Sequence, residues 1–214
     1  MGLTLYSAWR ATAPYRTRIG LALKGVSYDY VPIDLIAGEQ REPEYRAVNR
    51  QGLTPALDLG DGQVLTQSLA ILEWLEDTRP EPALLPKEPL DRATVRAMAL
   101  IVACDIHPLN NTRVGRELHR RGVDPDGIKA WSQRWIKDGF DTLEPMIARH
   151  GKGFAFGETP TLADCCLIPQ VYSANRFEVD LSPYPAIRAV NERAAAHPAF
   201  QAAHPNKQPD AKPL

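Results

Sequence analysis

Three arginines, Arg10, Arg16 and Arg18, surround the run Ala11-Thr12-Ala13-Pro14 in the stretch LYSAWRATAPYRTRIGLALKG. A guanidinium keeps its charge at any working pH, and its planar fork matches both oxygens of a carboxylate. Pro14 suits the first turn of a helix, and Gly25 suits the position just past its end. Such a helix aims unpaired N–H groups out of its first turn, where negative charge is favoured. Arg10 precedes that end, and Thr12 is the only hydroxyl in the run. Arg16 and Arg18 fall inside the helix, where structural or interfacial roles, as ion pairs with a second domain or a partner subunit, are expected of them.

Two further stretches have chemical content. In NRQGLTPALDLGDG, Thr54-Pro55 leads into a strand. A cis proline there would leave the Thr54 N–H and C=O outside the sheet, open to an added strand of peptide. An ordinary proline at a strand start is the alternative. In LTQSLAILEWLE, Gln67-Ser68 opens a helix, with Ser68 as its cap. A helix N-terminus also favours a carboxylate, and capping and anion binding use the same geometry.

The elements that must position these residues follow from pattern. Residues 3–7 alternate as a half-buried strand does. A helix from Pro14, a strand over Tyr28–Ile33 and a short helix over Glu42–Val48 come next. Strands at Ala56–Leu59 and Gln63–Leu65 turn about Gly60-Asp61-Gly62, and a helix runs from Ser68 to about Asp77. This β-α-β-α-β-β-α order, with X-Pro before the third strand, is the thioredoxin order. Prolines at 80, 82, 86 and 89 mark a linker. Beyond it only helical patterns remain. They cover Asp91 to about Leu118 with a bend at Pro108, Asp126–Arg149, Thr161–Arg176 and Pro183–His197. The tail HPNKQPDAKPL is polar and proline-rich, so fraying is expected. The expected fold is an α/β thioredoxin-like domain over residues 1–82, a linker over 83–90 and an all-α domain over 91–214.

Composition narrows the function classes. With 214 residues and a formal net charge of -1, the chain has room for a core but no bulk charge for nucleic acid or anionic membrane. No apolar run approaches the ~20 residues of a membrane span, and no leader segment is apparent at the N-terminus. Cys104, Cys165 and Cys166 show no metal-ligand spacing and no Cys-x-x-Cys. No metal is expected. Reduced thiols in the cytoplasm are the plain reading. A thioredoxin fold ordinarily carries its cysteines after the first strand, and here there are none. Any thiol must come from outside the chain.

The chain resembles the zeta-class glutathione transferases, the family of maleylacetoacetate and maleylpyruvate isomerases. The matching stretches are YRTRIGLALKG, NRQGLTPALDLGDG, LTQSLAILEWLE, CDIHPLNN, FGETPTLADCCLIPQVYSANRF and VDLSPYPAIRAVNE, which together span nearly the whole chain. TPTLADCCLIPQ belongs to the superfamily at large, and its Thr161 and Asp164 form a capping box that serves folding. DIHPLNN and RFEVDLSPYP point to the zeta class. The run after the first arginine departs from the family, which has Ser-Ser-Cys-Ser where this chain has Ala-Thr-Ala-Pro.

The resemblance implies glutathione as cofactor and a small dicarboxylate as substrate. Thr54, before the cis Pro55, would pair with the cysteinyl part of glutathione. Gln67 and Ser68 would hold its γ-glutamyl carboxylate, and Gln51 and Gln40 the remainder. His107 and Asn111, at i, i+4 on one helix face, would contribute from the second domain, unless His107-Pro108 is only a packed helix kink. Thr12 and the helix end would ionise the thiol. Arg10, Arg113 and Arg176 would hold the substrate, although Arg176 also suits a helix C-terminus. A thiolate adding to a conjugated alkene gives the temporary single bond that cis–trans isomerisation needs, and glutathione is recovered. The same site would serve a glutathione transferase or dehalogenase of small α-halo acids, and a non-catalytic glutathione-binding protein is the third reading. The family also implies a homodimer.

Overall fold

The computed structural model describes residues 2–212, which form two compact units, 2–84 with 196–212, and 85–195. The boundary differs from the expected 91–214 helical domain, because the last stretch of chain belongs with the first.

The first unit is built on a four-stranded sheet in the order β2-β1-β3-β4. β1 (Thr4–Ser7) lies parallel to β2 (Asp29–Pro32), whereas β3 (Ala56–Asp58) runs antiparallel to β1 and to β4 (Val64–Thr66). This is the expected thioredoxin order. Helices α1 (Thr12–Leu23), α2 (Pro43–Val48) and α3 (Ser68–Thr78) connect the strands. Leu5, Leu57, Ile19, Leu21, Ile71, Leu72 and Leu75 are fully buried and form the core. α1 meets α3 at Gly20, where a Cβ would collide with the Leu72 side chain. Only glycine lets the two helices approach so closely.

The chain leaves α3 tied down. Lys24 Nζ contacts Glu76 Oε2 and the Pro82 carbonyl, each at 2.7 Å, and the Leu84 N–H donates to the same carboxylate at 2.8 Å. The expected irregular linker gives way at Pro89, which opens the next helix. Proline is tolerated there because the first helical N–H has no partner to lose.

The second unit contains α4 (Pro89–Leu100), α5 (Thr112–Arg120), α6 (Pro125–His150), α7 (Leu162–Arg176) and α8 (Pro185–Ala195). The expected helix to Leu118 is broken earlier than Pro108. A π-helical stretch, Ile101–Ile106, follows α4, and the His107 N–H reaches back to Val102 O at 2.9 Å. Pro108 lacks a donor and would crowd the carbonyl four residues back, so the helix has ended before it. α7 is the buried axis of this unit. Its Thr161–Asp164 capping box is present, and Asp164 Oδ1 also accepts from the Ala155 N–H at 2.7 Å.

The tail is the main departure. Fraying was expected, but Pro198–Ala203 forms α9, packed on α1, and a 3₁₀ turn follows at Pro205–Lys207. Gln208 Nε2 closes the segment by donating to the Ala202 and His204 carbonyls, at 3.0 and 2.9 Å. The last two residues of the expected frayed tail lie outside the described residues. No helix among the described residues is long and apolar enough to cross a membrane.

Candidate active site

The first unit brings most of the expected residues together. The Thr54–Pro55 peptide is cis. β3 begins at Ala56, opposite Tyr6 on β1, so Thr54 lies just outside the ladder and is not one of its paired residues. That is the geometry by which an extended peptide is captured. The loop is fixed from behind. Its Leu53 carbonyl accepts from the Tyr45 hydroxyl at 2.7 Å and from Asn49 Nδ2 at 2.6 Å. Burial pushes the Tyr45 phenol up to about 12, so the hydroxyl stays a donor.

Gln40 and Gln51 border the same loop. Asn49 Oδ1 accepts from the Gln51 N–H at 3.0 Å. Gly52 has φ +66, and a Cβ on it would stand 2.9 Å from the Gln40 carbonyl oxygen. Glycine thus allows both the left-handed turn and the close approach. Gln40 Oε1 is buried and accepts no hydrogen bond among the described residues. A donor on a bound molecule would satisfy it.

Gln67 is the N-cap of α3, at φ 69 and ψ 115, with no side-chain cap bond. A non-glycine residue at positive φ costs roughly 1–3 kcal/mol and is kept where its surroundings dictate it. Its Nε2 donates to Gln51 Oε1 at 2.8 Å. Ser68, expected as the cap, is instead the first helical residue, because Gln67 holds the non-helical backbone that defines a cap. Ser68 Oγ accepts from Arg16 Nη1 at 3.5 Å. The first-turn N–H groups of α3 therefore open beside a buried guanidinium, a setting suited to a carboxylate.

α1 begins at Thr12, not Pro14, with Ala11 as a cap that has no side-chain acceptor. Pro14 sits third in the helix and has no N–H. The intrahelically unpaired donors of the first turn are thus the Thr12 and Ala13 N–H groups. Thr12 is 7% exposed. Arg10 is half-buried, its guanidinium carbon 5.6 Å from the Trp9 ring centroid.

Arg16 and Arg18 are both buried in the first unit, in keeping with a structural role. Arg18 is fully buried and donates to Ala203 O at 3.1 Å, Ser7 Oγ at 3.1 Å, Ala8 O at 3.4 Å and Trp9 O at 2.7 Å. Burial pushes its pKa down, opposed by the charge of Tyr30, Tyr28, Tyr15 and Asp210.

The second unit holds the other candidates, and one expectation fails. His107 and Asn111 do not share a helix face. His107 closes the π-helical stretch, whereas Asn111 is the N-cap of α5 and its Oδ1 accepts from the Arg113 N–H at 3.0 Å. The intervening residues form a turn, so i, i+4 spacing does not align the two. Arg113 accordingly sits on α5, apart from the helix of His107. Arg113 and Arg176, the last residue of α7, are exposed.

The arrangement in the first unit fits a peptide-like anion. It offers one backbone pair for extended pairing, one helix N-terminus beside a guanidinium, a second helix N-terminus beside Arg10, and an unsatisfied acceptor at Gln40. It offers no cysteine thiol, because Cys104, Cys165 and Cys166 all belong to the second unit. Sequence patterning missed the backbone of Gln67 and the grip of the tail on residue 9. Neither has a periodic signature.

Comparison with known proteins agrees with this chemistry. Residues 13–78 match the family model for the glutathione S-transferase N-terminal domain, and residues 47–202 match that for the C-terminal domain. The chain is 50% identical to the maleylpyruvate isomerase of Ralstonia sp. over 212 residues, covering 97% of this chain and 99% of that one. The holo structure of a maleyl pyruvate isomerase, a bacterial glutathione S-transferase in Zeta class, superposes with a TM-score of 0.95 at 50% identity, over 98% of this chain and 100% of that one. A maleylacetoacetate isomerase from Methylobacterium extorquens AM1, solved with bound malonate and GSH, gives a TM-score of 0.94 at 40% identity, again over 98% and 100%.

Proposed function

The chain belongs to the glutathione S-transferase family, in its zeta class, and from that premise we propose that it is a glutathione-dependent cis–trans isomerase of a maleyl keto acid. The observation that carries the reading is the pairing of the Thr54 backbone, just ahead of β3, with a first helical turn, Ala11–Pro14, that has no cysteine. The site captures a peptide and lacks a thiol, so the peptide must bring one.

When bound, glutathione supplies a thiolate that adds to the conjugated alkene and leaves again after rotation about the temporary single bond. The residues of the chain make this feasible. Thr54 pairs with the extended backbone of the tripeptide. The α3 N-terminus, with Gln67 and Ser68, holds its γ-glutamyl carboxylate, while Gln51 and Gln40 take its remaining polar groups. The Thr12 and Ala13 N–H groups and the Thr12 hydroxyl stabilise negative charge at the sulfur. Arg10 binds substrate carboxylate and steadies the enolate oxygen that gains charge on addition. Arg113 and Arg176 are assigned to the substrate, and His107 and Asn111 to glutathione.

The proposed assembly is a homodimer. Leu90 and Leu100 on α4 are 72% and 44% exposed, and Ala93 and Ala97 lie exposed on the same face at helical spacing. That apolar stripe suits a second copy of the chain, and light scattering of wild type against Leu100→Glu tests it. The cytoplasm is the proposed compartment, in accord with three free cysteines.

The test of function is an assay with maleylpyruvate and maleylacetoacetate, with and without glutathione. Turnover should vanish on removal of glutathione and return with a catalytic amount. Turnover in thiol-free buffer would sink the cofactor role, and a covalent glutathione adduct as the product would mark a transferase instead.

A further inference from the structure

Residue 9 is held at both of its backbone groups. Its N–H donates to Asp210 Oδ2 at 3.1 Å, and its C=O accepts from Arg18 Nη2 at 2.7 Å. The other carboxylate oxygen of Asp210 accepts from the Tyr30 hydroxyl on β2 at 2.7 Å. Arg18 Nε donates to Ala203 O at the end of α9 at 3.1 Å. Lys212 reaches Asp34 at 2.9 Å, beyond the clamp. The tail and α1 thus grip the loop between β1 and α1 from two sides. The gripped residue adjoins Arg10 and lies two positions before the α1 cap.

We propose that Asp210 is a positioning residue for catalysis, one that fixes the β1–α1 loop so that Arg10 and the first-turn donors of α1 meet the reacting atoms in register. The inference rests on the proposed function for what those groups do. Its physical basis is the steepness of rate with geometry. A misplacement of about 1 Å by a remote change can cost on the order of a hundredfold. A loop with one backbone N–H and one C=O tied to charged groups has little freedom to drift, since charged hydrogen bonds are about twice as strong as neutral ones. The contacts assigned to glutathione binding, at Thr54, Gln67 and Gln51, lie on other segments. Loosening the clamp should therefore separate binding from turnover.

The test is Asp210→Ala and Asp210→Asn in the full chain. In glutathione-free Asp210→Ala, the Trp9 amide should exchange with deuterium faster than in wild type. With glutathione, the Kd measured below the wild-type thiolate midpoint, where the thiol form binds, should stay at the wild-type value, the midpoint of the thiolate absorbance titration should rise, and kcat should fall by about tenfold or more. Asp210→Asn keeps the shape and an acceptor for the Trp9 N–H, so it should fall between the two, and it stands in if the alanine variant does not fold. Lys212→Ala loosens the tail without touching residue 9 and should leave kcat unchanged. A lowered Tm with wild-type kcat and wild-type thiolate midpoint overturns the proposal and leaves Asp210 a staple for stability. If wild type isomerises neither maleyl keto acid, the assigned reaction fails, while Trp9 exchange and the thiolate midpoint still decide the clamp.

Discussion

Gln67 Nε2 donates to Gln51 Oε1 at 2.8 Å, joining the strained residue before α3 to the loop before the cis peptide. Two segments assigned to the same tripeptide are thereby set relative to each other before anything binds. Gln67→Ala and Gln51→Ala should each weaken glutathione binding by about two- to tenfold, the worth of a neutral hydrogen bond and its ordering. Because the side chains share one bond, the double variant should lose less than the product of the single losses. Calorimetric titration with glutathione measures this, and strictly multiplicative losses would show that the two act separately.

Arg10→Met should lower kcat/KM for the maleyl substrate by roughly ten- to a hundredfold, while the Kd for glutathione holds. Arg176→Met should do the same at the smaller end, since that side chain is exposed and its charge is screened by water. Arg113→Met is judged by the same split. An arginine whose loss leaves kcat/KM at wild type has no place in the substrate site.

Thr12 and the α1 backbone compete for the activation of sulfur. If the hydroxyl donates to the thiolate, Thr12→Ala should raise the pKa of bound glutathione and slow turnover most at low pH, where less thiolate remains. Thr12→Ser should be milder. If the Thr12 and Ala13 N–H groups suffice, the thiolate titration curves of wild type and Thr12→Ala will superimpose.

Asp164 ties pH to stability. Burial pushes its carboxyl up to about 6, against the lowering effect of the Ala155 N–H, the Thr161 N–H and the Thr161 hydroxyl. In the unfolded chain it titrates near 4, roughly the ordinary value. Between those values the folded state keeps a proton that the unfolded state has lost. This group's contribution therefore declines as pH rises from about 4 to about 6 and is level above that. Asp164→Asn should remove that part of the pH dependence in urea unfolding. Asp164→Ala strands its three donors in the interior and should cost roughly 2–4 kcal/mol.

Much of this was legible because strong local rules agree. Pro14 marks the first turn of α1 and Gly25 its end, Thr161 and Asp164 cap α7, and strand alternation with Thr54-Pro55 places the thioredoxin order. The misses have a common origin. Ser68 looked like a cap because serine favours caps, yet the cap is set by the backbone of Gln67. His107 and Asn111 looked aligned because the pattern presumes unbroken helical periodicity, and the π-helical stretch Ile101–Ile106 breaks it. The tail looked loose because it is polar. Its long-range anchors are the bonds of Asp210 to Trp9 and Tyr30 and of Lys212 to Asp34, and composition has no means of registering a partner 201 residues away.

The first unit is stitched from both ends of the chain, with residues 85–195 between them. Synthesis runs in one direction, and the early part of a chain usually folds while the rest is still being made. Here it cannot finish. The carbonyl that receives Arg18 Nε comes from Ala203, 185 residues later. A nascent chain must hold α1 with this Nε unmet, and one apolar flank bare, while the ribosome spends roughly ten seconds on the intervening helices. Chains stalled in that interval are the ones a holding chaperone should collect.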